Sequence, residues 1–208
     1  MSTRKTASPV RDQARVIKTS KPPRNQVRIG GGQWRGRKLD FPDVAGLRPT
    51  PDRVRETLFN WLAPVMPGCR CLDLFAGSGA LGFEAASRGA AEVVLVERDT
   101  RAIDFLRDHQ QRLGATQIRV VQADALQFLS GAARPFDLVL LDPPFGLGLL
   151  EAALPMLDQG WLSASAWIYL EAEREVAGAA LSTLLPAGFE LFRSKAAGQV
   201  GYHLARRL

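Results

Sequence analysis

The 208-residue sequence predicts an α/β fold: a mostly parallel, seven-stranded sheet with flanking helices, closed at one edge by an antiparallel hairpin. Three observations predict it. From Cys69 onward, short apolar runs rich in Val, Ile and Leu alternate with stretches at helical spacing. The last two runs, 188–194 and 199–206, have no helix between them, whereas a doubly wound sheet goes on alternating. Several runs also end in an acid or a glycine-rich loop, at the strand ends where open parallel sheets bind ligands.

The first 26 residues are polar and basic with no apolar core, so they are not a secretory signal and are expected to form a tail. Residues 1–40 hold eleven Lys/Arg against two acids, while residues 41–208 hold sixteen against nineteen. The positive charge is thus gathered in an N-terminal arm, as in a polyanion-binding extension on a near-neutral domain, though a merely solubilising tail has the same composition. Val27-Arg28-Ile29 and Lys38-Leu39-Asp40-Phe41 flank Gly30-Gly31-Gly32 and predict a small hairpin. A helix follows, with Thr50 as N-cap, Pro51 at its first position and Asp52 set favourably against the helix dipole. Val54, Leu58, Trp61 and Leu62 fall on one face, and Pro64 ends the run. Arg48, Arg53 and Arg55 cluster at the helix start and suggest contact with a ligand.

Strands are expected at 70–75, 92–97, 118–122, 136–141 and 166–171, ahead of the two terminal ones. Helices are expected at about 79–88, 101–113, 147–158 and 174–184, with a short turn at 125–129. The organisation is then a tail (1–26), an extension of hairpin and helix (27–66) and a sheet domain (67–208). Cys69 and Cys71 are too close for an ordinary disulfide and too few for zinc, and read as small strand residues in a reduced cytoplasm. No segment is long and apolar enough to span a membrane. Glu84, Glu92, Asp99 and Asp104 read as surface acids. Neither His109 nor His203 has partners at a spacing that supports a hydrolytic triad.

The chemistry concentrates at strand ends. Asp142-Pro143-Pro144-Phe145 follows the run 136–141. The prolines stiffen the turn and remove two backbone donors. Asp142 and the Pro143 carbonyl can then accept two N–H bonds from one amino group, and Phe145 can stack on the ring that carries it. Gly77-Ser78-Gly79-Ala80-Leu81-Gly82 matches G-x-G-x-x-G, with Glu97 twenty residues after Gly77 to accept ribose hydroxyls. Alone, this fits a dinucleotide equally well. Two features favour another adenosine cofactor. Asp73 is a poor neighbour for a pyrophosphate but a good one for a cationic methionine amine, and hydride transfer does not require Asp-Pro-Pro-Phe. Asp124 closes the 118–122 run, where it is placed to meet an adenine amine, to cap the following turn, or to do both. Together with the closing hairpin, these features fit the Rossmann-like class I adenosylmethionine-dependent methyltransferase fold.

The stretches Arg48–Leu62, Asp73–Gly82 and Asp142–Phe145, in that order, resemble the RsmD family, bacterial methyltransferases of the N2 amine of a guanine in small-subunit ribosomal RNA. The resemblance covers roughly residues 27–206. It implies S-adenosylmethionine held by Asp73, Phe75, Ala76, Gly77, Gly79, Glu97, Asp124 and Ala125, with Asp142, Pro143, Pro144 and Phe145 receiving the amine. RNA contact is expected through Arg28, Arg35, Arg37, Lys38, Arg48, Thr50, Arg53 and Arg55, although the resemblance does not settle which arginine touches RNA. The expected partner is small-subunit ribosomal RNA or the assembling small subunit, met by a cytoplasmic, metal-free monomer. Three other readings stay open: an adenine-N6 methyltransferase, a cofactor-binding assembly factor that does not methylate, and an NAD-dependent oxidoreductase.

Overall fold

The structure, a computed structural model, describes residues 25–44, 49–174, 176 and 178–208. Arg48 and nearly all of the basic tail therefore lie outside the described residues. A two-stranded hairpin comes first, β1 (Asn25–Arg28) and β2 (Lys38–Phe41), followed by α1 (Asp52–Trp61). The alternating part runs β3 (Arg70–Asp73), α2 (Ala80–Ser87), β4 (Glu92–Glu97), α3 (Thr100–Leu113), β5 (Ile118–Gln122), α4 (Ala125–Leu129), β6 (Phe136–Leu141) and α5 (Leu149–Leu157). It ends with β7 (Leu162–Glu173), α6 (Gly178–Leu184), β8 (Phe189–Ala197) and β9 (Val200–Arg207).

The seven strands of the main sheet are ordered β5-β4-β3-β6-β7-β9-β8. Strands β3 to β7 pair in parallel, while β9 is antiparallel to both β7 and β8. The expected closing hairpin is therefore present: α6 carries the chain from β7 to the edge strand β8, and β9 returns between them. Strand order reverses between β3 and β6, so a crevice opens at their carboxyl ends. Side chains alternate across the sheet, and each face has its own core. Cys71, Val93, Leu95, Leu138 and Leu140 face one way; Leu72, Val94, Val96, Val139 and Leu141 face the other.

The β1–β2 hairpin packs on the first of these cores through Val27, Ile29, Trp34, Leu39 and Phe41. Buried polar contacts lock it to α2 and α3. The Trp34 N–H donates to Ser87 Oγ at 2.9 Å, Ser87 Oγ donates to the Gly31 carbonyl at 2.6 Å, and Gly30 N–H donates to Glu84 Oε2 at 3.0 Å. Gly32 has φ +75°, and a β-carbon there would lie 1.8 Å from the Ser87 carbonyl oxygen, so a glycine is required at this approach.

Two residues read from sequence as outward-facing, Glu84 and Arg55, are buried here, and so is His109. Glu84 is 1% exposed and meets Arg55, Arg88 and Gly30. Arg55 is also 1% exposed: its Nη2 donates to the Arg28 carbonyl at 2.7 Å and to Asp52 at 2.6 Å. Arg55 therefore does not face RNA as the sequence suggested. It points inward because α1 packs against the hairpin and α2, and losing one partner of a buried pair such as Arg55–Glu84, 3.5 Å apart, costs about 3–5 kcal/mol. His109, on α3, is buried with its Nε2 2.7 Å from the Asp40 carbonyl oxygen.

Candidate active site

Four acids stand side by side at the carboxyl ends of β3, β4, β6 and β7, and a cleft of about 620 Å³ runs along them. Asp73, Glu97, Asp142 and Glu171 all line it, with the Phe75–Ser78 loop on one side and Pro143–Phe145 on the other. The connection before α1 (Val44, Pro49, Thr50, Pro51) and the β8–β9 turn (Gln199, Val200) complete the wall. The volume is in the range of small-molecule and cofactor sites.

On the glycine side, the acids are held by backbone donors. Glu97 Oε2 accepts from Gly77 N–H at 2.9 Å, and its Oε1 accepts from Arg98 and Asp99 N–H, both at 2.7 Å. A carboxylate has about four acceptor positions. Three are used within the chain, so Glu97 has room for roughly one ribose hydroxyl rather than two. Asp73 is 1% exposed and accepts from Gly82 N–H at 2.9 Å. Burial is the main cause that lifts its carboxyl to about 7 from an ordinary 3.8. Gly82 permits this contact: a β-carbon there would lie 2.1 Å from Leu95 Cδ2 and 3.0 Å from Asp73 Oδ2. Phe75, Ala76 and Gly77 line the cleft, while Gly79 turns the loop into α2 at φ +76°. Asp124 and Ala125 do not line it. The Asp124 side chain caps α4, accepting from Leu126 and Gln127 N–H, and β5 lies at the sheet edge two strands from the reversal point.

The other side is built differently. The Leu141↔Leu170 register in the β6–β7 ladder puts Asp142 and Glu171 at the same level of the sheet. Thr50 Oγ1 lies between them, 3.2 Å from Asp142 Oδ2 and 2.8 Å from Glu171 Oε1. Tyr169, two residues before Glu171 and on the same face of β7, donates its hydroxyl to that Oε1 at 2.7 Å. Thr50 and Glu171 are 4% and 3% exposed. Burial, then the neighbouring Glu171 charge and then Asp73, hold the Asp142 carboxyl well above the usual range; burial also raises Glu171. Phe145, 40% exposed, presents its ring at the mouth of the cleft.

The expected N-cap role of Thr50 is not observed. Pro51 takes the cap position, α1 has no side-chain cap, and the Thr50 hydroxyl turns to the two acids instead. Of the cations expected to meet RNA, Arg28, Arg35, Arg37, Lys38 and Arg53 are exposed but do not line the cleft. Sequence reasoning missed Glu171, Tyr169 and Gln199. For Glu171 a signal was available: it is an acid at the end of a predicted strand, as Glu97 is.

The family described as Conserved hypothetical protein 95 matches residues 27–206. Ribosomal RNA small subunit methyltransferase D of Escherichia coli (strain K12) is 53% identical over 183 residues, covering 88% of this chain and 90% of that protein. The protein of the same name from Haemophilus influenzae is 42% identical over 186 residues, covering 87% and 94%. The chain belongs to the RsmD family. The solved structure of the Escherichia coli methyltransferase yhhF superposes with a TM-score of 0.78 at 51% identity, covering 88% of this chain and 98% of that one. RsmD-family membership and the β5-β4-β3-β6-β7-β9-β8 order agree on the class I methyltransferase fold, and the chain is a methyltransferase. Among the described residues, no helix is long and apolar enough to cross a membrane.

Proposed function

We propose that this methyltransferase moves a methyl group from S-adenosylmethionine to the exocyclic N2 amine of a guanine in small-subunit ribosomal RNA. The observation that carries the reading is the position of Asp142-Pro143-Pro144-Phe145, directly after β6 at the strand-order reversal and in the same cleft as the glycine loop. Family membership supplies the RNA context, since the curated relatives carry small-subunit ribosomal RNA in their names.

The cleft fits the cofactor. Its size suits a nucleoside joined to an amino acid, and its glycine side presents acceptors in Asp73 and Glu97 beside a loop of small residues. Asp73, Phe75, Ala76, Gly77 and Glu97 would hold it, and the bound group would supply an electrophilic methyl on a sulfonium. Gly79 supports that set by shaping the turn.

The guanine amine is a weak nucleophile because its lone pair is delocalised into the ring. Asp142 and the Pro143 carbonyl accept its two N–H bonds, favour pyramidal nitrogen and so restore a directed lone pair. No described residue donates to Asp142 Oδ1, which is left for this purpose, since Thr50 meets Oδ2. Phe145 stacks on the base, which must leave its own stack to enter. Positioning then provides most of the acceleration. The extension 27–66 forms the RNA-facing part of the molecule, through Arg28, Arg35, Arg37, Lys38 and Arg53, and residues 67–208 form the catalytic part. The test is mass analysis of nucleosides from small-subunit ribosomal RNA treated with the protein and labelled S-adenosylmethionine. Labelled N2-methylguanosine is expected; labelled N6-methyladenosine would replace the reading with an adenine methyltransferase.

A further inference from the structure

A hydroxyl has one hydrogen, yet Thr50 Oγ1 lies within hydrogen-bond distance of two carboxyl groups. Were both acids ionised, one of those contacts would bring a lone pair against a negative oxygen with nothing between them. The neighbours of the pair do not relieve this. Neither acid ion-pairs with any described residue, and the titratable groups that face them are Asp73 from β3, Tyr169 from β7 and Tyr202 from β9. The shorter contacts show where the charge sits. Tyr169 and Thr50 both approach Glu171 Oε1, at 2.7 and 2.8 Å, so Glu171 is the acceptor of two hydroxyl hydrogens. With the Thr50 hydrogen thus committed, the longer 3.2 Å contact needs a hydrogen from Asp142.

We propose that Asp142 and Glu171 share a single proton across the Thr50 hydroxyl, and that Glu171 is a positioning residue governing when Asp142 meets the amine as a carboxylate. The proposal rests on the reading that Asp142 receives the guanine amine. At rest Asp142 is protonated and Glu171 ionised. When the amine's N–H groups reach Asp142, its hydrogen passes from Oδ2 to Thr50 Oγ1, while the hydrogen of Thr50 passes to Glu171 Oε1. One O–H bond breaks and one forms at Thr50, and the pair keeps a single negative charge throughout. As the nitrogen–methyl bond forms and the methyl–sulfur bond breaks, the electron pair stays on sulfur and one proton of the now cationic amine passes to Asp142. The arrangement gives a buried acid the charge it needs without opening the site to water. Burial and the like charge of Glu171 push the Asp142 carboxyl in the same direction as this hydrogen-bond count.

Carboxyl-labelled carbon-13 NMR of the full chain tests the pair without any turnover. The expected result is that Asp142 keeps its proton at neutral pH in the wild type, and that Glu171→Gln moves its mid-point down by a pH unit or more. Ordinary carboxylate mid-points for both acids in the wild type overturn the proposal, and this arm stands even if the variant does not fold. The second arm is single-turnover methylation of unmodified small ribosomal subunits with labelled S-adenosylmethionine, across pH. The wild type is expected to stay active below its Asp142 mid-point, because Glu171 takes the proton, whereas the acid limb of Glu171→Gln is expected to move to that variant's own Asp142 mid-point. A rate lowered equally at every pH, with the limb unmoved, overturns the proposal and reduces Glu171 to a structural acid. Thr50→Ser, which keeps the hydroxyl, is expected to retain the wild-type limb, and Thr50→Val to lose it. Failure of the wild type to transfer any label to RNA counts against the guanine-methylation reading instead, and leaves the NMR arm to decide on the pair.

Discussion

Each side of the cleft carries one buried and one half-buried acid, but the two sides meet their hydrogen-bonding needs in different ways. On the glycine side, Glu97 and Asp73 are met by backbone N–H groups, which are fixed in number and cannot rotate away. On the Asp-Pro-Pro-Phe side, Asp142 and Glu171 are met by the hydroxyls of Thr50 and Tyr169, which turn and exchange hydrogens. Fixed donors suit a half that must hold one ligand in one pose. Rotatable donors suit a half where a proton changes place. The contrast teaches that four acids at equivalent strand ends can divide into scaffold and chemistry through the donors that face them.

Substitutions can break this contrast or sharpen it. The largest effect is expected from Asp142→Ala. Removing a partner engaged in the transition state costs about a hundredfold or more in rate. Affinity for S-adenosylhomocysteine should remain near wild type, because that ligand occupies the other side. Single-turnover assays paired with calorimetry measure the two quantities; equal losses in both would erase the division between the halves. Glu97→Ala should do the reverse. It frees three backbone donors, and a loss on the order of 3 kcal/mol in folding stability is expected, with weaker cofactor binding. Denaturant unfolding checks the first and calorimetry the second, and RNA affinity should stay unchanged. Phe145→Ala should lose roughly 1–3 kcal/mol of base engagement, read as RNA affinity by filter binding, while Phe145→Trp keeps it.

The smallest effect is a pH dependence on the glycine side. The carboxyl of Asp73 lies near 7 in the folded chain against an ordinary 3.8. The unfolded chain therefore releases this proton first. Its contribution to stability is full below about 4 and is lost as pH rises through about 7. A cationic ligand favours the ionised form, so affinity for S-adenosylmethionine should rise as pH increases through about 7, by at most about tenfold per pH unit. Calorimetry in buffers of different ionisation heat should show proton release on binding. Asp73→Asn should flatten the profile, and a profile that stays steep would assign the proton to another group.

Much of this molecule was legible before folding was considered. The alternation after Cys69, the unspaced pair of terminal strands and the loop chemistry after Asp73 and Leu141 are local patterns, and local patterns survive in a one-dimensional reading. What escaped depended on two segments meeting. Thr50 reads as an N-cap from its neighbours alone, and only the approach of its segment to β6 and β7 gives its hydroxyl two better partners. Arg55 reads as a surface cation at a helix start, until the hairpin folds over it and supplies the Arg28 carbonyl.

By itself, then, the sequence determined which elements form, that they build a parallel sheet closed by a hairpin, and which strand ends carry acids, glycines or prolines. The tertiary structure decided which of those acids are neighbours and which charges are buried. The reason is physical. Periodicity and turn chemistry act within about ten residues, whereas the register that sets Asp142 beside Glu171, and the burial that lifts both, arise from strands and segments far apart in the chain.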